Sequence, residues 1–294
     1  HHFEKYVTLF FENLPSSMRT DTLCLGGGCS LNIMTNSLLV EKGIFKDVYI
    51  NTAPNDDGLS FGSAIYLANK TENKVKLPHN LGCIGGEYNQ NDYEVAKKHF
   101  EPAFSNIEET HYEDFDSLCD KVVDLLMDDN IVAWFQGKSE FGPRALGNRS
   151  IFVDPRKKQK EYLNSKVKFR EYWRPYAPIM LESHLKEWYD IPIDSSPYML
   201  FNGVVKKEKR GLIPSVTHAD NSSRVQTVNE KYNEKVDTLL KKFLDKTNVP
   251  ILLNTSFNVA GEPIVEKPFD ALNTFFNSQI NVLVINNNVL IKKL

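Results

Sequence analysis

The loop at residues 136–150 carries the side chains best suited to bind a charged substrate. It reads Gln-Gly-Lys-Ser-Glu-Phe-Gly-Pro-Arg-Ala-Leu-Gly-Asn-Arg-Ser and holds Lys138, Arg144 and Arg149. A guanidinium group matches two oxygens of a phosphate or carboxylate at once. Most arginine-rich loops are only solvated surface, but the glycines and the proline here constrain the backbone as a binding loop requires. We therefore predict an anion-binding loop.

A second basic segment follows at residues 167–178. Lys168, Arg170 and Arg174 are interleaved there with aromatic side chains. In an extended backbone, even-numbered positions share one face, so these three cations would point the same way while the aromatics pack elsewhere. Grooves that bind single-stranded nucleic acids show a similar mixture. However, the excess of positive charge is confined to this one region of the chain.

Small polar residues follow a predicted buried strand within residues 252–263. Asn254, Thr255, Ser256 and Asn258 offer amide and hydroxyl groups to a ligand. An ordinary capped turn would have the same composition. Read alone, the segment therefore fits a binding site and a turn equally well.

A glycine turn marks another candidate site near the start of the chain. Residues 26–28 are all glycine and lie between a predicted strand and a predicted helix, which lets main-chain N–H groups approach a phosphate. Asp56 and Asp57 precede the next helix, where carboxylates ligate a hard cation, hold a ribose or simply cap the helix. The seven histidines form no H-x-x-x-H or H-E-x-x-H pair, so local spacing supplies no complete metal site.

The charge of the 294-residue chain excludes a general polycation. It has 35 Lys+Arg and 38 Asp+Glu, a formal net charge of −3, which argues against a protein that coats nucleic acid or an anionic membrane. Eleven basic and four acidic residues between positions 138 and 174 give that segment +7, so the rest carries −10. The four cysteines form no C-x-x-C pair, and no apolar run approaches the roughly 20 residues of a membrane span. We expect a cytoplasmic protein without a membrane partner.

Hydropathy patterning predicts alternating strands and helices, which is typical of an α/β or α+β protein. The predicted strands are Thr22–Leu25, Asp47–Ile50, Ile131–Phe135 and Val249–Leu253, with a hairpin over Val282–Ile291. The predicted helices are Ser30–Glu41, Leu59–Ala68, a segment around Leu118–Leu126, Asn229–Lys246 and Pro268–Phe276. Residues 71–115 lack periodicity and are predicted to be irregular, so we place a boundary between two domains there.

Five regions taken together resemble one enzyme family. They are Gly26–Asn32, Pro54–Gly62, Gln136–Ser150, Arg174–Pro178, and Leu253–Asn258 with Gly261–Ile264. In this order they resemble the O-carbamoyltransferases of the NodU type, which modify nodulation factors and antibiotics. The arginine loop is long enough to be specific by itself.

The resemblance implies an α/β fold in two domains. Residues 1–85 would be the C-terminal part of a partial actin-like carbamoyl-transfer domain, and residues 86–294 a YrdC-like α/β domain with a twisted mixed sheet. The YrdC-like part would make carbamoyl-adenylate from carbamoyl phosphate and ATP with Mg²⁺. The actin-like part would pass the carbamoyl group to a hydroxyl of a sugar, a nodulation-factor-like glycan or a secondary metabolite.

The resemblance also assigns site residues. Lys168 and Arg174 would be catalytic, and Asp56 would be a ligand of iron or zinc in the full-length actin-like domain. The residues implied to bind substrate or ATP are Lys138, Arg144, Arg149, Arg170, Arg224, Asn254, Ser256, Asn258, Gly27, Gly28 and Asn32. Family members carry an H-x-x-x-H metal pair that this sequence lacks, and they are roughly twice as long. We therefore expect the chain to begin inside the actin-like domain and to lack a complete transfer site.

Two alternatives stay open. A threonylcarbamoyl-adenylate synthase would use threonine and bicarbonate in place of carbamoyl phosphate. A nucleic-acid-binding module would use the basic residues 138–174. The positive charge of residues 138–174 favours the carbamoyltransferase interpretation. ATP and carbamoyl phosphate together carry about six negative charges, which such a basic segment would offset.

Overall fold

The computed structural model describes residues 2–71 and 75–293 as a mixed α/β protein. The helices are α1 (His2–Glu12), α2 (Ile33–Glu41), α3 (Leu59–Lys70), α4 (Gln90–Lys97), α5 (Phe115–Met127), α6 (Lys160–Tyr162), α7 (Leu185–Trp188), α8 (Glu230–Thr247) and α9 (Pro268–Phe276). The strands are β1 (Thr22–Leu25), β2 (Asp47–Ile50), β3 (Ile107–His111), β4 (Val132–Phe135), β5 (Arg149–Val153), β6 (Ala177–Leu181), β7 (Tyr189–Asp190), β8 (Phe201–Val205), β9 (Ser222–Val228), β10 (Ile251–Ser256), β11 (Val282–Ile285) and β12 (Asn288–Lys292).

Ten of these strands form one sheet at the centre of the protein. Their order is β3-β12-β11-β4-β5-β10-β6-β9-β8-β7. The pairs β11–β4 and β6–β9 are parallel, and the other neighbouring pairs are antiparallel. Every residue of β4, β5 and β6 is buried. The hydrophobic core therefore follows the middle of this sheet.

The two longest helices of the described chain, α5 and α8, pack against each other beside the sheet. α5 begins at its cap Asp114, whose carboxylate accepts a main-chain N–H of the first turn at 2.8 Å. α8 begins at its cap Asn229 and ends at Asn248, which adopts the left-handed conformation that often terminates a helix. Lys242 of α8 donates to Asp120 of α5 at 3.0 Å, at the rim of their apolar contact.

The N-terminal part is a smaller βα unit with its own two-stranded parallel sheet, β1–β2. Helix α2 connects these strands and packs on β8 of the large sheet. Asn36 of α2 donates from Nδ2 to the Leu200 main-chain oxygen at 2.9 Å. Thr52 donates from Oγ1 to the Phe141 main-chain oxygen at 3.2 Å. Hydrogen bonds thus join this unit to the rest of the chain at two separate places.

Several predicted elements are confirmed. The strands Thr22–Leu25 and Asp47–Ile50 and the helix Pro268–Phe276 agree with the structure at both ends. Strands β5, β6, β8 and β9 were not predicted, because runs of buried residues have no two-residue period. None of the described helices is both long and apolar enough to cross a membrane.

The prediction that residues 71–115 are irregular is confirmed for residues 75–89 but wrong for residues 90–111. Residues 72–74 lie outside the described residues. The remainder contains α4, a 3₁₀ segment over Lys98–Asn106, and β3. α4 buries only Tyr93 and Ala96, and β3 buries only Ile107. With so few buried side chains, neither element has a clear hydropathy period.

Residues 167–176 do not form the extended backbone that would place Lys168, Arg170 and Arg174 on one face. The chain makes a π-helical turn over Leu163–Val167, and Phe169 then adopts a left-handed conformation with φ of 45°. The Asn164 side chain donates to two main-chain oxygens further along, each at 3.0 Å, and folds the segment back. The aromatic side chains are exposed instead of packed elsewhere: Phe169, Tyr172 and Trp173. The period of two therefore does not decide where the cations of this segment point.

Gly142 lies where the N-terminal unit meets the arginine loop, so its replacement tests this junction. Its φ is +115°, and a Cβ built there would lie 2.7 Å from the Thr52 main-chain oxygen. Gly261 has φ of +81° but no atom within 4 Å of such a Cβ, so Gly261→Ala is a control that carries backbone strain alone. We expect Gly142→Ala to lower the free energy of unfolding in urea by about 1–3 kcal/mol more than Gly261→Ala. Equal losses would contradict the close approach.

Candidate anion-binding site

Four arginine side chains converge on one cavity of about 260 Å³, called here the arginine cavity. The four are Arg144, Arg170, Arg174 and Arg224. The end of β10, residues 254–256, forms another wall. Among the described residues, no Asp or Glu side chain lines this cavity. It is therefore a concentration of positive charge without an internal counter-ion.

The order of the strands explains why these residues meet. Arg144 lies in the β4–β5 loop, Arg170 and Arg174 lie before β6, and Arg224 lies on β9. Strands β5, β10, β6 and β9 are consecutive in the sheet. Since β10 and β6 are antiparallel, with Asn254 opposite Ala177, the end of one lies beside the start of the other. Segments far apart in the sequence thus share one edge of the sheet.

Burial leaves part of this charge without partners. Burial, together with the positive charges of Arg144 and Arg170, lowers the pKa of Arg224 to about 9. Burial also lowers the pKa of Arg144. The Nε atoms of Arg144 and Arg224 are buried and have no hydrogen-bond partner in the part of the chain that the structure describes. An unpaired buried donor costs about 1–3 kcal/mol, so an anion in the cavity would be favoured by both groups.

Arg170 is oriented by neutral groups beside the cavity. Its Nε donates to Asn164 Oδ1 at 2.7 Å, and its guanidinium lies 4.6 Å from the centroid of the Tyr176 ring. His218 also lines the cavity, with Nε2 3.1 Å from the Tyr176 main-chain oxygen, and burial lowers its pKa. Sequence reasoning did not select His218 or Tyr176 as site residues, because a single histidine or tyrosine carries no spacing signal.

Lys168 lies beside the cavity without lining it. Its side chain is buried, and its Nζ is 2.7–3.2 Å from four oxygens, the main-chain and side-chain oxygens of Ser256 and Asn258. Burial lowers the pKa of Lys168 to about 7, the charge of Arg170 adds to this effect, and Glu262 opposes it. The lysine therefore holds the chain after β10 in place, including the Ser256 wall of the cavity.

Glu140 organises the arginine loop from within. Its Oε1 accepts the main-chain N–H groups of Leu146 at 2.7 Å, Asn148 at 2.8 Å and Arg149 at 3.1 Å. Its Oε2 accepts the same Arg149 N–H at 3.1 Å. Sequence reasoning missed this role, and the only available signal was an acidic residue inside a basic segment. The conformation that presents Arg144 thus depends on a carboxylate.

Besides Lys168, three predicted residues of the C-terminal part lie outside the arginine cavity. Arg149 is fully buried and donates to main-chain oxygens at 2.9–3.4 Å, so its guanidinium holds the loop together. The Lys138 residue is exposed. Asn258 lines an adjoining cavity of about 440 Å³, which shares Pro143 and Ser256 with the arginine cavity.

The predicted residues of the N-terminal unit do not line the arginine cavity. Gly27 has φ of +86° and donates its N–H to the Pro54 oxygen at 2.6 Å, so the chain itself occupies this donor. Gly28 begins a 3₁₀ turn. Asn32 caps α2, where its Oδ1 accepts the Thr35 N–H at 3.1 Å. The structure brings none of these three predicted residues to the four arginines.

Asp56, the predicted metal ligand, is exposed in the turn before α3. Within residues 2–71 and 75–293, no group of three or more His, Cys, Asp or Glu side chains is placed to hold a metal ion. Asp56 therefore forms no such group with the other described residues. The described residues thus offer no ligand set for iron or zinc.

A cavity larger than the arginine cavity lies at the opposite ends of the strands. Its volume is about 1110 Å³, and its lining includes the residues just before β4 and β11, four lysines and Asp129. It contains none of the predicted site residues. The arginine cavity is the better candidate, because its arginines include buried donors without partners and no carboxylate among the described residues lines it.

Comparison with known proteins identifies the family. The family described as carbamoyltransferase C-terminus matches residues 123–293, and the family described as carbamoyltransferase N-terminus matches residues 1–65. The chain therefore belongs to the carbamoyltransferase family. The resemblance to the NodU type is confirmed by its relatives among nodulation proteins.

Nodulation protein U of Rhizobium tropici is 37% identical over 240 residues, covering 81% of this chain and 39% of that protein. Nodulation protein NolNO of Sinorhizobium fredii is 36% identical over 274 residues, covering 92% and 40% respectively. An uncharacterized protein of Synechocystis is 36% identical over 317 aligned positions, covering 98% and 50%. The chain thus spans half the length of these curated relatives or less. A crystal structure of full-length HypF with phosphate and nucleotide bound is 18% identical to this chain, with a TM-score of 0.42. The match covers 64% of this chain and 23% of that one, and this similarity is too low to identify a shared fold.

Replacing Glu140 by Gln tests how the arginine loop is held. The amide keeps one acceptor oxygen but loses the charge that strengthens three main-chain hydrogen bonds. We expect the free energy of unfolding to fall by about 1–3 kcal/mol. Glu161→Gln removes the same charge from an exposed position in the same basic segment and should leave stability unchanged. Equal stability of the two variants in urea unfolding would argue against this role of Glu140.

The buried Lys168 also predicts a pH dependence of stability. The folded protein loses the Lys168 proton near pH 7, whereas an unfolded lysine keeps it to about pH 10.4. The unfolded state therefore binds more protons between these values, and this residue makes stability rise with pH by up to about 1.4 kcal/mol per unit. We expect the stability of the wild type relative to Lys168→Met to increase from pH 7 to pH 9. The exposed Lys166→Met control should show no such trend, and a constant difference for Lys168→Met would contradict the pKa.

Proposed function

We propose that this part of a carbamoyltransferase forms carbamoyl-adenylate at the arginine cavity, and that the whole protein passes the carbamoyl group to a hydroxyl. The observation that carries the proposal is the convergence of four arginines on a cavity that no carboxylate lines in the described residues. Such a cavity favours a ligand with several negative charges. Membership of the carbamoyltransferase family supports carbamoyl phosphate as one such ligand.

The proposed reaction proceeds in two steps. Water first cleaves carbamoyl phosphate to carbamate and phosphate. A carbamate oxygen then attacks the α-phosphorus of ATP, and the new O–P bond replaces the bond to pyrophosphate, which leaves with the electron pair. The two substrates carry about six negative charges, and buried guanidinium groups offset their repulsion more strongly than solvated ones. Positioning and charge then supply the catalysis, without a covalent enzyme intermediate.

The surroundings of each cation suggest its role. Arg144 and Arg224, with their unpaired Nε atoms, would hold phosphate oxygens. Among the described contacts, the Arg174 side chain makes only a long ion pair of 3.8 Å with Glu171, and we propose that it contacts the reacting groups. Lys168 would act through Ser256, whose oxygens it holds.

The two adjoining cavities give room for a nucleotide. The arginine cavity alone, at about 260 Å³, is smaller than the roughly 300–1,000 Å³ of typical ligand sites. The cavity beyond Pro143 and Ser256 adds about 440 Å³. We propose that the phosphates lie among the arginines and that the nucleoside extends towards Asn258. Mg²⁺ would enter with the ATP phosphates as their counter-ion.

The acceptor belongs to the proposal for the whole protein. We propose a hydroxyl of a nodulation-factor-like glycan, a sugar or a secondary metabolite as the acceptor, and the relatives named as nodulation proteins support the first of these. Iron or zinc would serve the full-length actin-like domain. We propose that the reaction takes place in the cytoplasm, where ATP is supplied.

Exchange of labelled pyrophosphate into ATP tests the proposed adenylation. We expect exchange that requires carbamoyl phosphate. Exchange only with threonine and bicarbonate would instead indicate a threonylcarbamoyl-adenylate synthase. Absence of exchange together with salt-sensitive RNA binding would favour the nucleic-acid-binding alternative.

Arginine variants test where the exchange takes place. We expect Arg224→Ala and Arg174→Ala to reduce the exchange rate at least about 100-fold, because a contact to transition-state charge is worth about 2.7–4 kcal/mol. Lys158→Ala removes an exposed cation that lines the cavity of about 1110 Å³ and should keep the wild-type rate. Thermal unfolding of each variant controls for loss of fold. Wild-type exchange by Arg224→Ala would remove the arginine cavity from the mechanism.

A further inference from the structure

The edge of β8 is covered by a helix of the N-terminal unit. β7 pairs with β8 only at Val204 and Val205, so it does not reach the start of that strand. Helix α2 takes its place, where Asn36 donates to the Leu200 oxygen at 2.9 Å. The Ser37 hydroxyl accepts the Asn202 N–H at 2.8 Å and donates to the Asn202 oxygen at 3.0 Å. Asn36 and Ser37 are both buried.

The residue that Ser37 holds lies opposite an arginine of the cavity. In the antiparallel register of β8 and β9, Asn202 is paired with Arg224. Directly opposite side chains in such a pair lie close together on the same face of the sheet. Because both main-chain groups of Asn202 bond to Ser37, they turn away from β9. One hydroxyl therefore sets the position of the strand that supports Arg224.

The same helix also reaches the arginine cavity directly. Ile33, the first residue of α2, lines the cavity. Met199 lines it as well and directly precedes Leu200, which accepts from Asn36. Met199 has φ of 56°, so the chain turns sharply there before β8 begins. The hydrogen bonds from α2 thus fix a turn in the cavity wall as well as the strand.

We propose that Ser37 is a positioning residue for the arginine cavity and acts through Asn202 on Arg224. This inference rests on the proposed function of the cavity. A hydroxyl both donates and accepts, so Ser37 satisfies two buried main-chain groups at once. Alanine leaves both groups unpaired, and the strand relaxes towards other partners. Arg224 then moves relative to Arg144, and the two side chains together bind a phosphate less tightly.

A neighbouring threonine supplies a matched control. Thr35 is on the same helix and is buried, and its Oγ1 has no hydrogen-bond partner among the described residues. Thr35→Val therefore removes a buried hydroxyl from α2 without removing a bond to β8. Ser37→Thr keeps the hydroxyl and serves as the conservative rescue. Ser37→Cys keeps a weak donor and acceptor and serves where Ser37→Ala does not fold.

The experiment measures two quantities on each variant, the KM for ATP in the exchange reaction and the Kd for pyrophosphate by calorimetry. We expect Ser37→Ala to raise both about tenfold while kcat changes less than threefold. Ser37→Thr and Thr35→Val should stay within twofold of the wild type, and Ser37→Cys should lie between. Thermal unfolding confirms that the compared variants are folded.

The two readouts separate this inference from the proposed function. If the wild type shows no exchange but binds pyrophosphate, and Ser37→Ala weakens that binding, the proposed reaction fails and the role of Ser37 stands. If Ser37→Ala, or Ser37→Cys in its place, keeps the wild-type KM and Kd, the inference is overturned. Equal effects of Thr35→Val and Ser37→Ala would overturn it too. No binding of pyrophosphate by the wild type would overturn both.

Discussion

The repulsion between four guanidinium groups is the constraint on which the site depends. Nothing acidic among the described lining residues offsets it, so the arginines are held by groups outside the cavity. Arg170 rests on an amide oxygen and an aromatic ring. Two of the four acids between positions 138 and 174 serve the scaffold: Glu140 binds main-chain N–H groups of the loop, and Asp154 pairs with Arg156 at 2.6 Å. These two carboxylates therefore do not neutralise the arginines of the cavity, and the positive charge there is left for a ligand.

The sequence was most informative about the arginines of the site. Residue type and the family resemblance assign Arg144, Arg170 and Arg224 to substrate or ATP binding and Arg174 to catalysis, and the structure brings all four to one cavity. Motifs with constrained backbones also indicated the carbamoyltransferase family, which the comparisons confirm. The helix Pro268–Phe276 was predicted with correct ends, whereas other predicted elements, such as the helix Ser30–Glu41, differ from the structure at one end.

The sequence was least informative where distant residues decide the conformation. The Asn164 side chain folds back the chain after α6, between residues 164 and 174, and no local sequence pattern predicts this contact. Lys168 and Arg174 are both cations of the same short stretch of sequence, which assigns them the same role. In the structure, four oxygens of a segment far along the chain surround Lys168 and not Arg174. Arg149 resembles a ligand contact in its glycine-rich loop, but its donors bind main-chain oxygens. Buried polar contacts of this kind are set by the assembled sheet.

The contact at the edge of β8 constrains how the two segments of such a protein evolve. Helix α2 matches the part of the chain described as carbamoyltransferase N-terminus, whereas β8 belongs to the part described as C-terminus. The two family segments are therefore not interchangeable modules, because each leaves buried polar groups that only the other satisfies. Consider a chimera that takes its first segment from one relative and its second segment from another. It keeps the two hydrogen bonds between Ser37 and Asn202 only if both the serine and a matching strand edge are present.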